Sequence, residues 1–352
     1  MSEEKRKRWS GVILLAVIIG LAAGVAVGAI MNREQMIIAI GKVRLEYLIF
    51  PFFCFIFGYF IDAVRLVMVL RTTGTRIHFR EAFYNSVYGQ FISNLTPSAS
   101  GGQAFQIIHL QQIGVPVKAG ANIILSRFVV NAMLILLVMV VSFPTIVSLA
   151  GRFAISDIVM YAGLITTFVF SILLLLMLLK PQILAHLAFL IHRTFIGRII
   201  TKATKNASWA SKFLHWTHGL RDETRTLWKQ HTCVMIADIL MNALFIMTHA
   251  VSLYYVLCVI CGQDLSYGQI LVTYVIVWQV VVYIPTPGAS GSLEWGFAAV
   301  FSGITGKPEA TLVAIVIWRI ATYYLHLLVG GIAIAINRRV QPIPVWHSPA
   351  RV

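Results

Sequence analysis

Three arginines stand inside otherwise apolar stretches of this 352-residue chain: Arg65, Arg127 and Arg319. A guanidinium in hydrocarbon is costly unless it is paired or solvated, so such residues mark ion pairs, ligand contacts or polar pathways. The carboxylates at comparable depth are Asp62, Asp238 and Glu294. Asp62 and Arg65 lie one helical turn apart, a spacing that suits a self-neutralising pair as well as a functional one. His231, Asp238, Asn242, His249 and Ser252 fall on one helix face, which must point at protein or at a wet cavity. Arg319 is followed at helical spacing by Thr322, Tyr323, His326 and Gly330, again one face, and Asn131 lies one turn after Arg127. Glu294 could pair with Arg127 or Arg319, or bind a cation or a proton. His249 and His326 read first as hydrogen-bonded core residues and only second as proton carriers. The chemistry on offer is therefore recognition of a charged group, not bond making.

A repeated motif accompanies these residues. Thr96-Pro97-Ser98-Ala99-Ser100-Gly101-Gly102 and Thr286-Pro287-Gly288-Ala289-Ser290-Gly291-Ser292 agree at five of seven positions. Each copy is preceded by a helix-like segment with a Gln (Gln90, Gln279). Each is followed by a short helix, a turn (Gly114-Val115-Pro116, Gly306-Lys307-Pro308) and a long apolar helix holding Arg127 or Arg319 at nearly the same distance. The segments on either side of the motifs, Glu81–Asn94 with Gly101–Ile113 and Ser266–Ile284 with Ser292–Gly306, are short for a bilayer crossing. They predict two re-entrant helical hairpins, 81–113 and 266–306. Interrupting a helix in hydrocarbon frees backbone polar groups, which is tolerated where the break is buried in protein or lines a cavity. Packing alone could also explain such hairpins.

The elements that must position these residues are apolar spans: Gly11–Met31, Leu45–Leu70, Gly120–Ala150, Asp157–Leu179, Thr232–Gly262 and Glu309–Asn337. The expected fold is all-α and polytopic, about six full transmembrane helices plus two oppositely oriented hairpins forming an inverted repeat. Hydrophobic residues make up 59% of the chain and charged ones 12%, half the share of a soluble domain. That excludes disorder and a soluble monomer of this length. The net charge of +15 belongs to loops between apolar spans, not to one polar face, so it points to membrane topology and not to nucleic acid. Lys5-Arg6-Lys7-Arg8, Arg71, Arg76, Arg80, Lys118, the basic loop 180–231 and Arg338-Arg339 fall on one side under this layout. Arg33, Lys42, Arg44, Arg152 and Lys307 fall on the other. The excess places both termini in the cytoplasm, with 1–10 a basic tail, 11–338 the membrane domain and 339–352 a second tail. The loop 180–231 carries Trp209, Trp216 and Trp228 among its basic residues and reads as amphipathic helices on the membrane surface. Cys258-Val-Ile-Cys261 has no companion ligands and reads as two small apolar residues.

These residues also carry a family resemblance. Phe91-x-x-Asn94-Leu95-Thr96-Pro97-Ser98-x-x-Gly101-Gly102 with Ser126-Arg127 resembles the first signature of the flippase-like membrane proteins. Pro285-Thr286-Pro287-Gly288-Ala289-x-Gly291-x-x-Glu294 with Trp318-Arg319-Ile320-x-x-Tyr323-Tyr324 resembles the second. That family is related to the transmembrane part of lysylphosphatidylglycerol synthase, and the likeness covers about Leu45 to Arg338. Ser126 stands where the family often has an acidic residue, and Ala289-Ser290 where it often has Gly-Ile or Gly-Gly. The resemblance implies translocation of a lipid between leaflets. With the chain ending at Val352 and no acyltransferase domain in view, aminoacylation of lipid is not expected, and a separately encoded lipid-modifying enzyme is an expected partner.

The functional expectation is thus a flippase-like transporter in the cell membrane. Its guest would be an anionic phospholipid or a polyprenyl-phosphate-linked lipid. The deep arginines and carboxylates cancel, while two helix N-termini at the breaks add about half a positive charge each. The candidate substrate-binding residues are Arg127, Arg319, Thr96, Ser98, Ser100, Thr286, Ser290, Glu294, Asp238, Asn242, His249, Tyr323, His326, Asp62 and Arg65. No cofactor and no metal is expected, and association as a homodimer is possible. A small-solute secondary transporter, or a membrane scaffold for a lipid-modifying or glycosyl-transfer enzyme, would use the same architecture. HExxH, GxSxG and GxxxxGK[ST] patterns are absent, which argues against an enzyme and against nucleotide-driven transport.

Overall fold

A computed structural model describes residues 37, 38, 40, 41, 43–96, 99, 101–144, 165–169, 171–173, 176, 226, 228–281, 289, 291–337, 346 and 347. The expected spans Gly11–Met31 and, for the most part, Asp157–Leu179 lie outside these residues, as do the tails and nearly all of the loop 180–231. The described elements are helical apart from one two-stranded pairing. α1 is Glu46–Thr72, followed by β1 (Thr75–Arg76), α2 (Phe79–Leu95), α3 (Gly102–Gln112) and α4 (Val117–Val141). α5 is Thr232–Cys261, followed by α6 (Tyr267–Val281), α7 (Ser292–Thr305) and α8 (Pro308–Arg319). α8 passes through a π-helical turn, Ile320–Tyr324, into α9 (Leu325–Asn337).

Among the described residues, four helices are long and apolar enough to cross a membrane: α1, α4, α5 and the continuous α8–α9, at 27, 25, 30 and 27 residues. At 1.5 Å per residue each exceeds the roughly 30 Å of a hydrocarbon core. Their apolar residues run around the whole circumference, and polarity decides which face turns inward. On α5, Asp238, Asn242, His249 and Ser252 are buried, whereas Ile236, Leu240, Leu244 and Met247 on the opposite face are exposed. On α1, Arg65 is buried with Phe55, Tyr59, Leu66 and Val69, against an exposed stripe of Ile49, Phe53, Phe57 and Phe60.

α1 and α5 cross in the middle of the molecule. Arg65 bonds Asp238 and Asn242, Gly58 faces Phe245 and His249, and Tyr47 and Phe50 face Tyr255. Numbers that fall along α1 rise along α5, so the two helices run antiparallel. Gly58 permits the approach, because a Cβ there would stand 2.6 Å from His249 Nε2.

Each long helix leads into a hairpin that turns back to the end it started from. Ile77 and Ala82 at the entry of α2, and Leu110, Ile113 and Val115 at the exit of α3, pack together on Leu66, Val69 and Leu70 of α1. At the exit of α7, Thr305 bonds Thr311, which touches Cys261 at the end of α5, and Lys307 Nζ donates to the Cys261 carbonyl. Since α1 and α5 are antiparallel, the two hairpins return to opposite ends of the pair. The arms close on glycine: a Cβ on Gly102 would stand 2.5 Å from the Gly89 carbonyl oxygen, and one on Gly296 would stand 2.7 Å from Val281. The two Thr-Pro motifs also share a backbone feature. Ala99 and Ala289, at matching positions, both adopt positive φ, 52° and 55°. They are the only described non-glycine residues that do so.

The tail returns as β2 (Trp346–His347), pairing antiparallel with β1. This ties the segment beyond α9 to the α1–α2 turn, on the side where the basic-residue pattern puts both. Nothing in the composition of that tail announced a strand.

Candidate functional site

The arginines and carboxylates singled out from the sequence fall into two ion clusters, one centred on α1, α4 and α5 and one between the hairpin tips; a further buried acid, Glu81 of α2, pairs with Arg80 beside His109. In the first, Arg65 donates from Nε and Nη2 to the two carboxylate oxygens of Asp238 at 2.9 and 3.2 Å, and from Nη1 to Asn242 Oδ1 at 2.7 Å. Arg127 donates from Nη2 to Asp62 Oδ1 at 2.5 Å and to the Asp62 carbonyl at 3.1 Å. The Ser86 hydroxyl donates to the other Asp62 oxygen at 2.7 Å. Asn242 Nδ2 donates to Asn131 Oδ1 at 3.0 Å, so four helices, α1, α2, α4 and α5, share one network. The self-pair within α1 is secondary: Arg65 Nη1 stands 3.7 Å from Asp62, longer than either residue's bond to another helix. Two arginines and two aspartates make this cluster formally neutral, and Asp238 at its heart is fully buried. Bidentate geometry of this kind is what offsets the desolvation of buried charges.

The second cluster sits where the hairpin tips meet. Glu294, in the first turn of α7, accepts the backbone N–H of Gly291 at 2.7 Å through one oxygen. The other accepts Arg319 Nε at 2.9 Å. The Arg319 guanidinium lies over the Tyr323 ring, 4.2 Å from its centroid, a cation–π contact. Tyr323 in turn donates to the Asn94 carbonyl, at the last turn of α2, at 3.0 Å. A single path, Gly291–Glu294–Arg319–Tyr323–Asn94, thus links the second tip to the first. The link is built on the π turn. The sequence-based expectation of one α-helical face from Arg319 to Gly330 is corrected here. Ile320–Tyr324 forms a wide turn that changes the angular register between Arg319 and His326. Thr322, Tyr323 and His326 are nonetheless all buried. α4 has no such turn after Arg127, so the copies differ at this point.

The candidates from sequence therefore divide. Arg65, Asp238, Asn242, Asp62 and Arg127 form one cluster, and Glu294, Arg319 and Tyr323 the other. Arg127 and Arg319, although equivalent in the repeat, reach different carboxylates, Asp62 and Glu294. Glu294 takes Arg319. His249 and His326 belong to neither cluster but stand between them, His326 Nδ1 sharing a 2.8 Å hydrogen bond with the Tyr59 hydroxyl. Thr96 turns its hydroxyl to its own backbone, donating to the Ile92 carbonyl at 2.9 Å and accepting the Gly101 N–H at 3.0 Å. It finishes α2 and shapes the break. Ser98, Ser100, Thr286 and Ser290 lie outside the described residues. The residues that sequence reasoning passed over are Ser86, Tyr59 and Gly58. Tyr59 could have been noticed one turn before Asp62; nothing marks Ser86.

The helix N-termini do not behave alike. At α7 the carboxylate of Glu294 takes the N–H of the N-cap residue Gly291. At α3 the matching N–H, that of Gly101, is taken by the neutral Thr96 hydroxyl, and Ala104 stands where α7 has Glu294. The α7 terminus therefore carries a negative charge of its own and the α3 terminus does not. One side-chain nitrogen in each cluster, Arg127 Nε and Arg319 Nη2, is buried without a hydrogen-bond partner. A buried donor left so is expensive and points to a missing guest or to an alternative arrangement. The 620 Å³ groove beside Val64, Met68, Arg71, Ile77 and His231 lies at the α1–α2 end and includes none of the residues of either cluster.

Compared with known proteins, residues 11–330 match the family model described as the lysylphosphatidylglycerol synthase TM region. A "UPF0104 membrane protein" of Archaeoglobus fulgidus is 23% identical over 337 residues, covering 90% of this chain and 95% of its own. A "UPF0104 membrane protein" of Methanocaldococcus jannaschii is 22% identical over 348 residues, covering 92% of this chain and 95% of its own.

Proposed function

This chain belongs to the lysylphosphatidylglycerol synthase TM region family, and from that premise we propose that it moves a lipid with an anionic, phosphate-containing headgroup between leaflets. It is an integral membrane protein; the orientation proposed puts the Arg71–Arg80 end and both termini in the cytoplasm. The hairpins are then re-entrant, one from each side. Supporting this are their return to opposite ends of the α1–α5 pair and the short reach of α3, α6 and α7, at 11, 15 and 14 residues.

The observation that carries the reading is Arg319. It joins the tips through Glu294 and Tyr323 and keeps one buried N–H, at Nη2, without a partner. A headgroup phosphate would accept that N–H and add the N-terminus of α3, whose first turn carries no acid, while its acyl chains stay in the bilayer. Because Glu294 neutralises Arg319, binding must loosen that pair, and the pair can reform when the lipid leaves. Catalysis of bond making has no part in this proposal.

The test is the lipid that stays with the purified protein. Mass spectrometry of lipids extracted after detergent purification should show an anionic phosphate lipid enriched over the bulk membrane. In Arg319→Ala the enrichment should fall about ten- to a hundredfold, the worth of one or two charge-assisted hydrogen bonds. A bound-lipid profile equal to the bulk membrane in both proteins would refute the reading.

A further inference from the structure

Between the two ion clusters lie two imidazoles whose surroundings the lipid site does not explain. His249 of α5 and His326 of α9 are 7% and 1% exposed, and the Nε2 of each has no hydrogen-bond partner. His249 stacks flat on Phe55, ring centroids 3.8 Å apart, with Phe245 at 4.2 Å. His326 has Phe52 at 5.0 Å and Phe55 at 5.5 Å. Neither imidazole is paired with a carboxylate. Gly58 keeps the space that His249 occupies, since any Cβ there would meet its Nε2.

We propose that this histidine pair is a proton-binding site through which lipid movement is coupled to a proton gradient, an inference that rests on the transport reading above. Burial opposes the charge of an imidazolium, and the rings of Phe52, Phe55 and Phe245, which attract a cation, offset part of that cost. A protonated His326 would donate from Nδ1 to the Tyr59 oxygen. The two imidazoles lie within electrostatic range of each other, so a second proton is repelled and the pair takes one.

The charged and titratable groups around the pair are otherwise committed. On α1, Tyr59 is bonded to His326, and Asp62 to Arg127 and Ser86. On α5, Asp238 holds Arg65. On α2, the Tyr88 hydroxyl donates to the Ala333 carbonyl. From α8 and the π turn, Arg319 faces Glu294 and Tyr323 reaches Asn94. Asp62 is the carboxylate within electrostatic range of His249. A proton on the pair therefore adds a positive charge in the field of Asp62, the carboxylate that holds Arg127 of α4, and loss of the proton removes it. The proton enters from water on one face and leaves to water on the other, with no bond made or broken elsewhere.

The test uses the full-length protein in liposomes with a fluorescent anionic phospholipid and an imposed gradient of about one pH unit, worth up to about tenfold in the ratio of the two exchange directions. Wild type should show that bias. His249→Gln/His326→Gln should still exchange lipid, with the bias gone. Exchange in wild type that ignores the gradient, or a double variant as biased as wild type, overturns the proposal. If wild type moves no lipid at all, the transport reading fails by itself. The proton site is then judged on nitrogen-15 histidine spectra of the protein in nanodiscs. A signal absent from the double variant that turns to imidazolium on acidification upholds it, and no such signal overturns it.

Discussion

A buried arginine is defined by what answers it, and here every answer comes from far along the chain. Arg65 meets Asp238 and Asn242, 173 and 177 residues away, while the acid one turn from it serves Arg127 instead. The types and depths of these residues were legible in the sequence; their partners were not, because helical spacing reports only which face a residue occupies. Arg65→Ala should strip Asp238 of its bidentate partner, leaving Arg127 Nε at 3.9 Å, and destabilise the protein by about 3 kcal/mol. Arg65→Met/Asp238→Leu, which removes both charges, should recover most of that loss. Thermal unfolding in detergent measures both, and a single variant as stable as wild type would show that the pair contributes little.

Among the elements, the long helices and the paired Thr-Pro breaks were the most readable features. Apolar length marks a crossing helix, and a run such as Thr96-Pro97 cannot continue one. The π turn after Arg319 was not readable: Ile320-Ala-Thr-Tyr-Tyr324 contains neither Gly nor Pro, and the turn arises where the helix reconciles Arg319 on one hairpin tip with Tyr323 on the other. Hairpin closure was half readable, since glycines near a break suggest close approach without saying to what. Gly102→Ala would drive a Cβ into Ser93 and the Gly89 carbonyl, so α2 and α3 must part, at a cost of about 1–3 kcal/mol. Gly331→Ala, with no atom within 4 Å of the new Cβ, should be neutral or stabilise α9 by up to about 1 kcal/mol. Unfolding midpoints of the two variants should move apart; equal midpoints would mean that the hairpin yields freely.

At the scale of the whole molecule, antiparallel α1 and α5 form the axis about which two similar halves are arranged, and each half lends its Arg-bearing helix to the other's hairpin. α9 lies on α2, with Gly330 against Phe91, and α4 touches α6. The halves are not equal. Arg127 is absorbed into a network among long helices, and Arg319 stands at the meeting of the tips; in the transport proposed above, the second half is the one that addresses the guest. Leaflet exchange of a fluorescent anionic phospholipid in proteoliposomes, followed by chemical quenching of the outer leaflet, tests this most directly. The account predicts exchange by wild type well above protein-free vesicles, about ten- to a hundredfold slower exchange in Arg319→Ala, and no change in Arg71→Ala at the groove. Exchange no faster than in empty vesicles, or Arg319→Ala keeping pace with wild type, would contradict it.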